Sequence, residues 1–170
     1  MIPQRPNVGS PNTDQGLSDD WIVGFVDGEG CFHIGISKHS EMKFGHQILP
    51  ELTVVQHERD INLLHRLRSS MKCGVVRKNH GDRYCWRVRD IKNLAEVIVP
   101  FFEKHNLKTK KAIEFKKFAW VVKKMCKGDH LTEDGFREIC QLASSMNRGE
   151  SRKVLGLRES PFQDESLGLK

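Results

Sequence analysis

The chain has 170 residues, with 28 Lys plus Arg against 22 Asp plus Glu and 38% apolar residues, which suits one globular domain with a substantial core. A formal net charge of +6 excludes a disordered polyanion, and with a sequence pI near 9.1 it favours a polyanionic partner. Five cysteines without a CxxC pair argue against a disulfide framework or a four-cysteine zinc site and point to a reducing intracellular compartment; no apolar run approaches the roughly 20 residues of a membrane span.

Residues 1–17, MIPQRPNVGSPNTDQGL, are rich in Pro, Gly and small polar residues and predict a flexible arm; residues 149–170 predict a tail, leaving 18–148 as the packed domain. Ser18 with Asp19 and Asp20 supplies an N-cap and two first-turn acids for a helix through Trp21, Ile22, Val23, Phe25 and Val26, apolar almost all round and so buried. It ends in Asp27-Gly28-Glu29-Gly30, whose glycines permit positive φ. Phe32, Ile34 and Ile36 then alternate with Cys31, His33, Gly35 and Ser37, the period of a strand with one face in a core. A second strand over about 47–56 sets Leu52 and Val54 against Glu51 and Thr53, and Ile61, Leu64, Leu67 and Met71 fall at helical spacing.

A hairpin follows, 74–79 and 83–89 about a turn through His80, Gly81 and Asp82. Its last strand shows Tyr84, Trp86 and Val88 to one side and Arg83, Cys85, Arg87 and Arg89 to the other. Asp90 caps a helix carrying Leu94, Val97 and Ile98 that Pro100 interrupts. Lys108 to Lys111 open a fourth helix with Ile113, Phe118, Val122 and Met125, and Thr132 caps a fifth with Phe136, Ile139, Ala143 and Met146. Trp21, Trp86 and Trp120 lie on apolar faces and read as core. This αββαββα order with further C-terminal helices is an α+β domain whose four-stranded antiparallel sheet is covered by helices on one face. The other face is polar and basic, as in β-sheet readers of DNA.

The stretch Ile22-Val23-Gly24-Phe25-Val26-Asp27-Gly28-Glu29-Gly30 resembles the LAGLIDADG motif of homing endonucleases, and the motif occurs once, as in that family's homodimeric members. Leu52-Thr53-Val54-Val55-Gln56 resembles the family's second strand ending in Gln, and Asn106-Leu107-Lys108-Thr109-Lys110-Lys111-Ala112 its basic segment near the active site. The order matches in register from about residue 18 to 125. The resemblance implies a saddle-shaped sheet, a homodimer packed through the motif helix at Gly24, Phe25 and Asp27, and an intron-borne enzyme making a Mg²⁺-dependent double-strand break in a long pseudo-palindromic DNA site. It assigns Glu29 and the Gly28 carbonyl to the metal, Gln56 to ordering the nucleophilic water, and Lys108 to water or to charge developing at the phosphate. Glu29 stands where the family pattern ends in Asp. Asp27 is read as structural, satisfying backbone amides or the partner helix. After Gln56, where the family often has a basic residue, this chain has Asp60 beside Arg59.

By strand parity the open face carries His33, Ser37, Gln47, Glu51, Thr53, Arg77, Asn79, Arg83 and Arg87. Arg suits guanine, Gln and Asn suit adenine, and Glu suits a cytosine amino group; Lys38, His39 and Lys78, toward the hairpin tips, suit phosphates. The alternative is a maturase-like splicing cofactor whose basic sheet binds intron RNA without cleavage, and the joint presence of Glu29, Gln56 and Lys108 favours the nuclease. His57-Glu58 lacks the second His of a zincin, Cys73, His80 and Cys85 lack zinc-ligand spacing, and no Walker-type phosphate loop occurs.

Overall fold

The computed structural model describes residues 16–146; most of the expected N-terminal arm and all of the expected tail lie outside the described residues. Of the arm, Gly16 and Leu17 are described, and Leu17 is tied to the domain. Its N–H donates to Ser70 Oγ at 3.0 Å, and its side chain packs against the core.

Ser18 accepts from the Trp21 N–H at 3.3 Å and starts α1 (Asp19–Glu29). The helix buries Ile22, Val23 and Val26 but is not covered all round: Gly24 and Gly28 are exposed, and Trp21, expected in the core, is 40% exposed. Neither Gly28 nor Gly30 takes a positive φ. The helix runs two residues past Asp27, and Gly30 turns directly into extended backbone (φ −76°, ψ 153°) while its N–H donates to the Val26 carbonyl. The junction needs glycine for room, because a Cβ on Gly30 would lie 2.6 Å from Val26 Cγ1 and 2.7 Å from its carbonyl oxygen.

The sheet follows, with β1 (Gly30–Lys38) and β2 (His46–His57), then a 3₁₀ turn at Glu58–Asp60 and α2 (Ile61–Met71). β3 (Val75–His80) and β4 (Arg83–Val88) complete it in the spatial order β1-β2-β4-β3, every pair antiparallel. Pairing Phe32 with Leu52 and Leu52 with Val88 puts the expected apolar parity on one side, where all three are buried. Trp86 is fully buried there and donates from Nε1 to the Cys73 carbonyl at 2.9 Å.

Asp90 caps α3 (Ile91–Asn93), its side chain accepting from the Asn93 N–H. Pro100 does not interrupt the helix. A π-helical stretch, Leu94–Ile98, intervenes, the Val99 N–H reaching back to the Leu94 carbonyl, and Pro100 sits in the first turn of α4 (Val99–Lys104). The wider turn accommodates a residue that lacks an N–H and crowds the preceding turn. Residues 107–109 are not yet helical; α5 (Lys111–Cys126) begins at the last residue of the expected opening. A 3₁₀ turn, Asp129–Leu131, leads to α6 (Glu133–Met146). Phe32 from β1 meets Phe102, Phe115 and Phe118 with ring centroids 5.2–5.6 Å apart, so α4 and α5 are fastened to the sheet's apolar face. Trp120 faces outward at 38% exposure, correcting its expected burial. No helix among the described residues is long and apolar enough to cross a membrane.

Gly74 takes φ +80°, and a Cβ there would lie 2.6 Å from Trp86 Nε1 and 2.8 Å from the Arg87 carbonyl oxygen. Gly74→Ala combines a strained backbone with a clash against the fully buried indole, and should cost about 2–3 kcal/mol of stability. A urea midpoint lowered with an unchanged slope would register it.

Candidate active site and nucleic-acid interface

α1 is buried along one stripe, so its C-terminal turn is held against the sheet with Asp27, Gly28 and Glu29 at the seam where helix becomes strand. Glu29 is exposed. Asp27 is turned instead to the segment before α5. Its Oδ2 accepts from the Lys108 N–H at 2.6 Å, its carboxylate from the Thr109 N–H at 3.2–3.3 Å, and its Oδ1 from the Thr109 hydroxyl at 2.6 Å. Lys111 Nζ adds a bond to the Val26 carbonyl at 3.1 Å. Of the two partners open to Asp27 in the sequence, backbone amides or a partner helix, the structure shows the amides of its own chain. Burial pushes the Asp27 carboxyl up, but the Thr109 hydroxyl, the Lys108 and Thr109 amides and the Lys111 ammonium outweigh it and hold the group below its usual 3.8.

This clamp brings Lys108, exposed at its tip, to the end of the helix that carries Glu29. Gln56 arrives by a different route. Gly30 pairs with Val54, and Gln56 lies two residues farther along β2, about 7 Å, on the same side as Leu52 and Val54. It is half-buried and makes no direct hydrogen bond to Glu29 or Lys108 among the described residues. Beyond it His57 Nε2 lies 2.9 Å from Asp82 and His57 Nδ1 accepts from the Arg59 N–H. The Arg59 side chain is 78% exposed and leans on Asp60. Among the described residues no group of three or more His, Cys, Asp or Glu gathers around one point. A single chain therefore offers Glu29 and the carbonyls of a helix end, a hard all-oxygen donor set that fits a divalent cation in kind and supplies part of a coordination shell.

The residues expected to read DNA lie along the opposite sheet face, where Thr53 is buried and donates its hydroxyl to Glu51. Ser37 pairs with Gln47, His33 with Glu51, Thr53 with Arg87, and Arg77 with Cys85. Arg77 and Arg83 are exposed, while Asn79 falls at the irregularity between Lys78 and His80. Lys38 ends β1, and the His39 N–H closes the loop by donating to Gly45. The tip of this hairpin is anchored to the 3₁₀ turn and α6: Lys43 Nζ donates to the Leu131 carbonyl at 2.9 Å, and the Phe44 and Phe136 rings meet in a tilted contact with centroids 5.0 Å apart. Sequence reasoning missed that anchor, and Thr109 and Lys111 in the clamp, because each joins segments far apart in the chain and leaves no local spacing.

A family model described as LAGLIDADG endonuclease matches residues 22–122, more than half of the chain. The chain belongs to the LAGLIDADG endonuclease family. Its fold is that of the crystal structure of the homing endonuclease I-TnaI, 50% identical, with a TM-score of 0.78 over 84% of this chain and 97% of that one. The meganuclease I-SmaMI, solved bound to uncleavable DNA, is 28% identical with a TM-score of 0.79, and this LAGLIDADG chain covers 50% of it. A probable intron-encoded endonuclease of Neurospora crassa is 32% identical over 141 residues, 82% of this chain. The chain spans 31% of the length of that relative. The family model runs from within α1 to within α5 and omits α6, so the element that anchors the β1–β2 tip lies outside the matched segment.

A carboxyl that titrates lower in the folded chain than in the unfolded one contributes stability that is fully present above the unfolded value and is lost as pH falls through the folded value. Asp27→Asn should therefore be less stable than the unsubstituted chain at neutral pH, and the gap should close as the pH drops below 3.8. Chemical denaturation across that range checks it; a gap independent of pH would show that the charge contributes nothing.

Proposed function

We propose that this LAGLIDADG chain is a site-specific DNA endonuclease that, as a homodimer, makes a Mg²⁺-dependent double-strand break in a long pseudo-palindromic site. The observation that carries the reading is the Asp27 clamp, which sets the Lys108 segment beside the helix end bearing Glu29, on a domain whose other sheet face presents arginines. The solved structures of I-SmaMI and of I-LtrWI, bound to DNA, support DNA as the substrate. Five unpaired cysteines, three of them buried, support a reducing compartment.

Support for the dimer comes from α1. Trp21, Gly24, Phe25 and Gly28 fall at i, i+3, i+4 and i+7, one helix face. Trp21 and Phe25 stack at 4.7 Å, and a Cβ on Gly24 or Gly28 would meet nothing within 4 Å, so a second helix can approach the backbone closely there. I-SmaMI, of which this chain covers half, supports a second copy as the missing half. Two copies joined along α1 would bring two Glu29 carboxylates toward one axis, and two incomplete donor sets would become two symmetric ones.

Glu29 and the Gly28 carbonyl would hold Mg²⁺, which supplies Lewis-acid polarisation of phosphate oxygens and lowers the pKa of water. The chain's own residues do the rest: Asp27 fixes the Lys108 backbone, the Lys108 ammonium stabilises negative charge at the phosphate, and the Gln56 amide orients a water. Arg77, Arg83 and Arg87 on the sheet face hold the duplex in register.

Glu29→Gln keeps the side chain's shape and removes its charge. Cleavage should fall by orders of magnitude while specific binding, measured with Ca²⁺ in place of Mg²⁺, persists; full activity would reject Glu29 as the ligand. Sedimentation should show a dimer on DNA, and Gly24→Leu should convert it to a monomer without loss of folding, since that Cβ meets nothing within the chain. A wild-type chain that cuts both strands as a monomer would overturn the dimer.

A further inference from the structure

The sheet face holds one acid among its arginines, and that acid is already occupied. Glu51 sits in β2, directly opposite His33 of β1 and in line with Arg89, the residue that follows β4. Its Oε2 accepts from Arg89 Nε at 2.5 Å and lies 3.7 Å from Arg87 Nε, and its Oε1 accepts from the Thr53 hydroxyl at 3.1 Å. The side chain is only 14% exposed, against 17% for Arg87 and 49% for Arg89. Burial pushes the Glu51 carboxyl up, but the Arg89 hydrogen bond, the Arg87 and Arg89 charges and the Thr53 hydroxyl hold it below its usual 4.5, so it is an anion at neutral pH.

We propose that Glu51 is a positioning residue of the DNA-reading face, which orients the Arg87 and Arg89 guanidiniums and makes Arg89 a base reader, and that it does not itself read cytosine. The inference rests on the reading of this face as a DNA interface. Arg89 donates to Glu51 from Nε at 2.5 Å, whereas Arg87 Nε, 3.7 Å from the same oxygen, has no hydrogen-bond partner among the described residues and is held by charge alone; contact at Nε leaves the Nη1 and Nη2 ends of the two planar forks for a guanine edge or a phosphate. A long arginine side chain has large rotamer freedom in solution, and a charge-assisted contact at its neck removes much of that freedom before DNA arrives. The carboxylate is recessed between its two cations and bonded to a hydroxyl of its own strand, so a cytosine amino group would have to displace one of them. An acid facing a polyanion repels it; Glu51 gives up some attraction for DNA of any sequence to keep two arginines in fixed orientation.

The test is a randomised-site selection on the full chain and on Glu51→Gln, Arg89→Ala and the double variant, with nonspecific affinity measured in parallel as a function of salt. Glu51→Gln should bind nonspecific DNA more tightly, having lost one negative charge per subunit, and should lose about tenfold or more discrimination at the base pair that Arg89→Ala also relaxes. In the double variant Glu51→Gln should add no further loss at that base pair. A Glu51→Gln profile identical to wild type apart from a uniform rise in affinity would overturn the proposal, as would an additive loss at a separate C·G pair, which would make Glu51 a reader. Failure of the wild-type chain to select any DNA sequence would instead overturn the DNA-interface reading. Matching denaturation midpoints for the variants separate these outcomes from misfolding.

Discussion

A single carboxylate, Asp27, joins the end of α1 to the segment that opens α5. It accepts from the amides of Lys108 and Thr109 and from the Thr109 hydroxyl, 81 and 82 residues further along the chain, and Lys111 binds the carbonyl one residue before it. Together with Leu107, buried in the core, that anchor fixes the segment between α4 and α5 and sets Lys108 relative to the helix end that carries Glu29. The anchor holds because both of its sides are rigid: α1 is pinned by Ile22, Val23 and Val26, and α5 by Phe115 and Phe118 against Phe32. Preorganised charge near a reacting phosphate is effective because no reorganisation is needed when the reaction occurs.

The two faces of the sheet divide the work. One is buried under the helices and gives the domain its stability; the other carries polar side chains in alternating register, Arg77 and Arg83 exposed and Thr53 and Cys85 buried among their neighbours. Because the strand period is two, the register that buries Phe32, Leu52 and Val88 also fixes which residues face outward. The composition of the outward face is thus a consequence of the core. That face is not a free array of cations, since Glu51 ties Arg87 and Arg89 together while Arg77 and Arg83 stand exposed. Rigidity at its edge comes from the Phe44–Phe136 contact, which holds the long β1–β2 hairpin against α6.

α1 has two unlike faces. Its buried stripe belongs to the core, and its other face, small at Gly24 and Gly28 and aromatic at Trp21 and Phe25, is the one on which the proposed dimer rests. Gly30 has a separate role within the chain, giving the turn into β1 room against Val26. Three glycines in one short motif thus differ in their surroundings: a Cβ on Gly24 or Gly28 would meet nothing within the chain, and one on Gly30 would clash within it.

Much of this was legible in the sequence. Period-two alternation in Phe32, Ile34 and Ile36 and in Tyr84, Trp86 and Val88 gave the strands and their buried side, the Ser18 and Asp90 caps gave two helix starts, and the motif ending in Glu29 with the Gln56 and Lys108 words gave the family. These signals are local: they depend on spacing along one element, which sequence displays directly. Where local rules compete with packing, the sequence misled. The stop expected at Pro100 became a π-helical stretch, the helix expected from Lys108 began at Lys111, and two of three tryptophans expected in the core are exposed. Which hydrogen-bond partner a side chain takes was decided only by tertiary structure. Asp27 and Glu51 are both acids in suitable places by sequence, yet the first is bound to a segment 81 residues away and the second to two arginines on a neighbouring strand and beyond it. Such contacts depend on three-dimensional proximity, which no periodicity in the chain encodes.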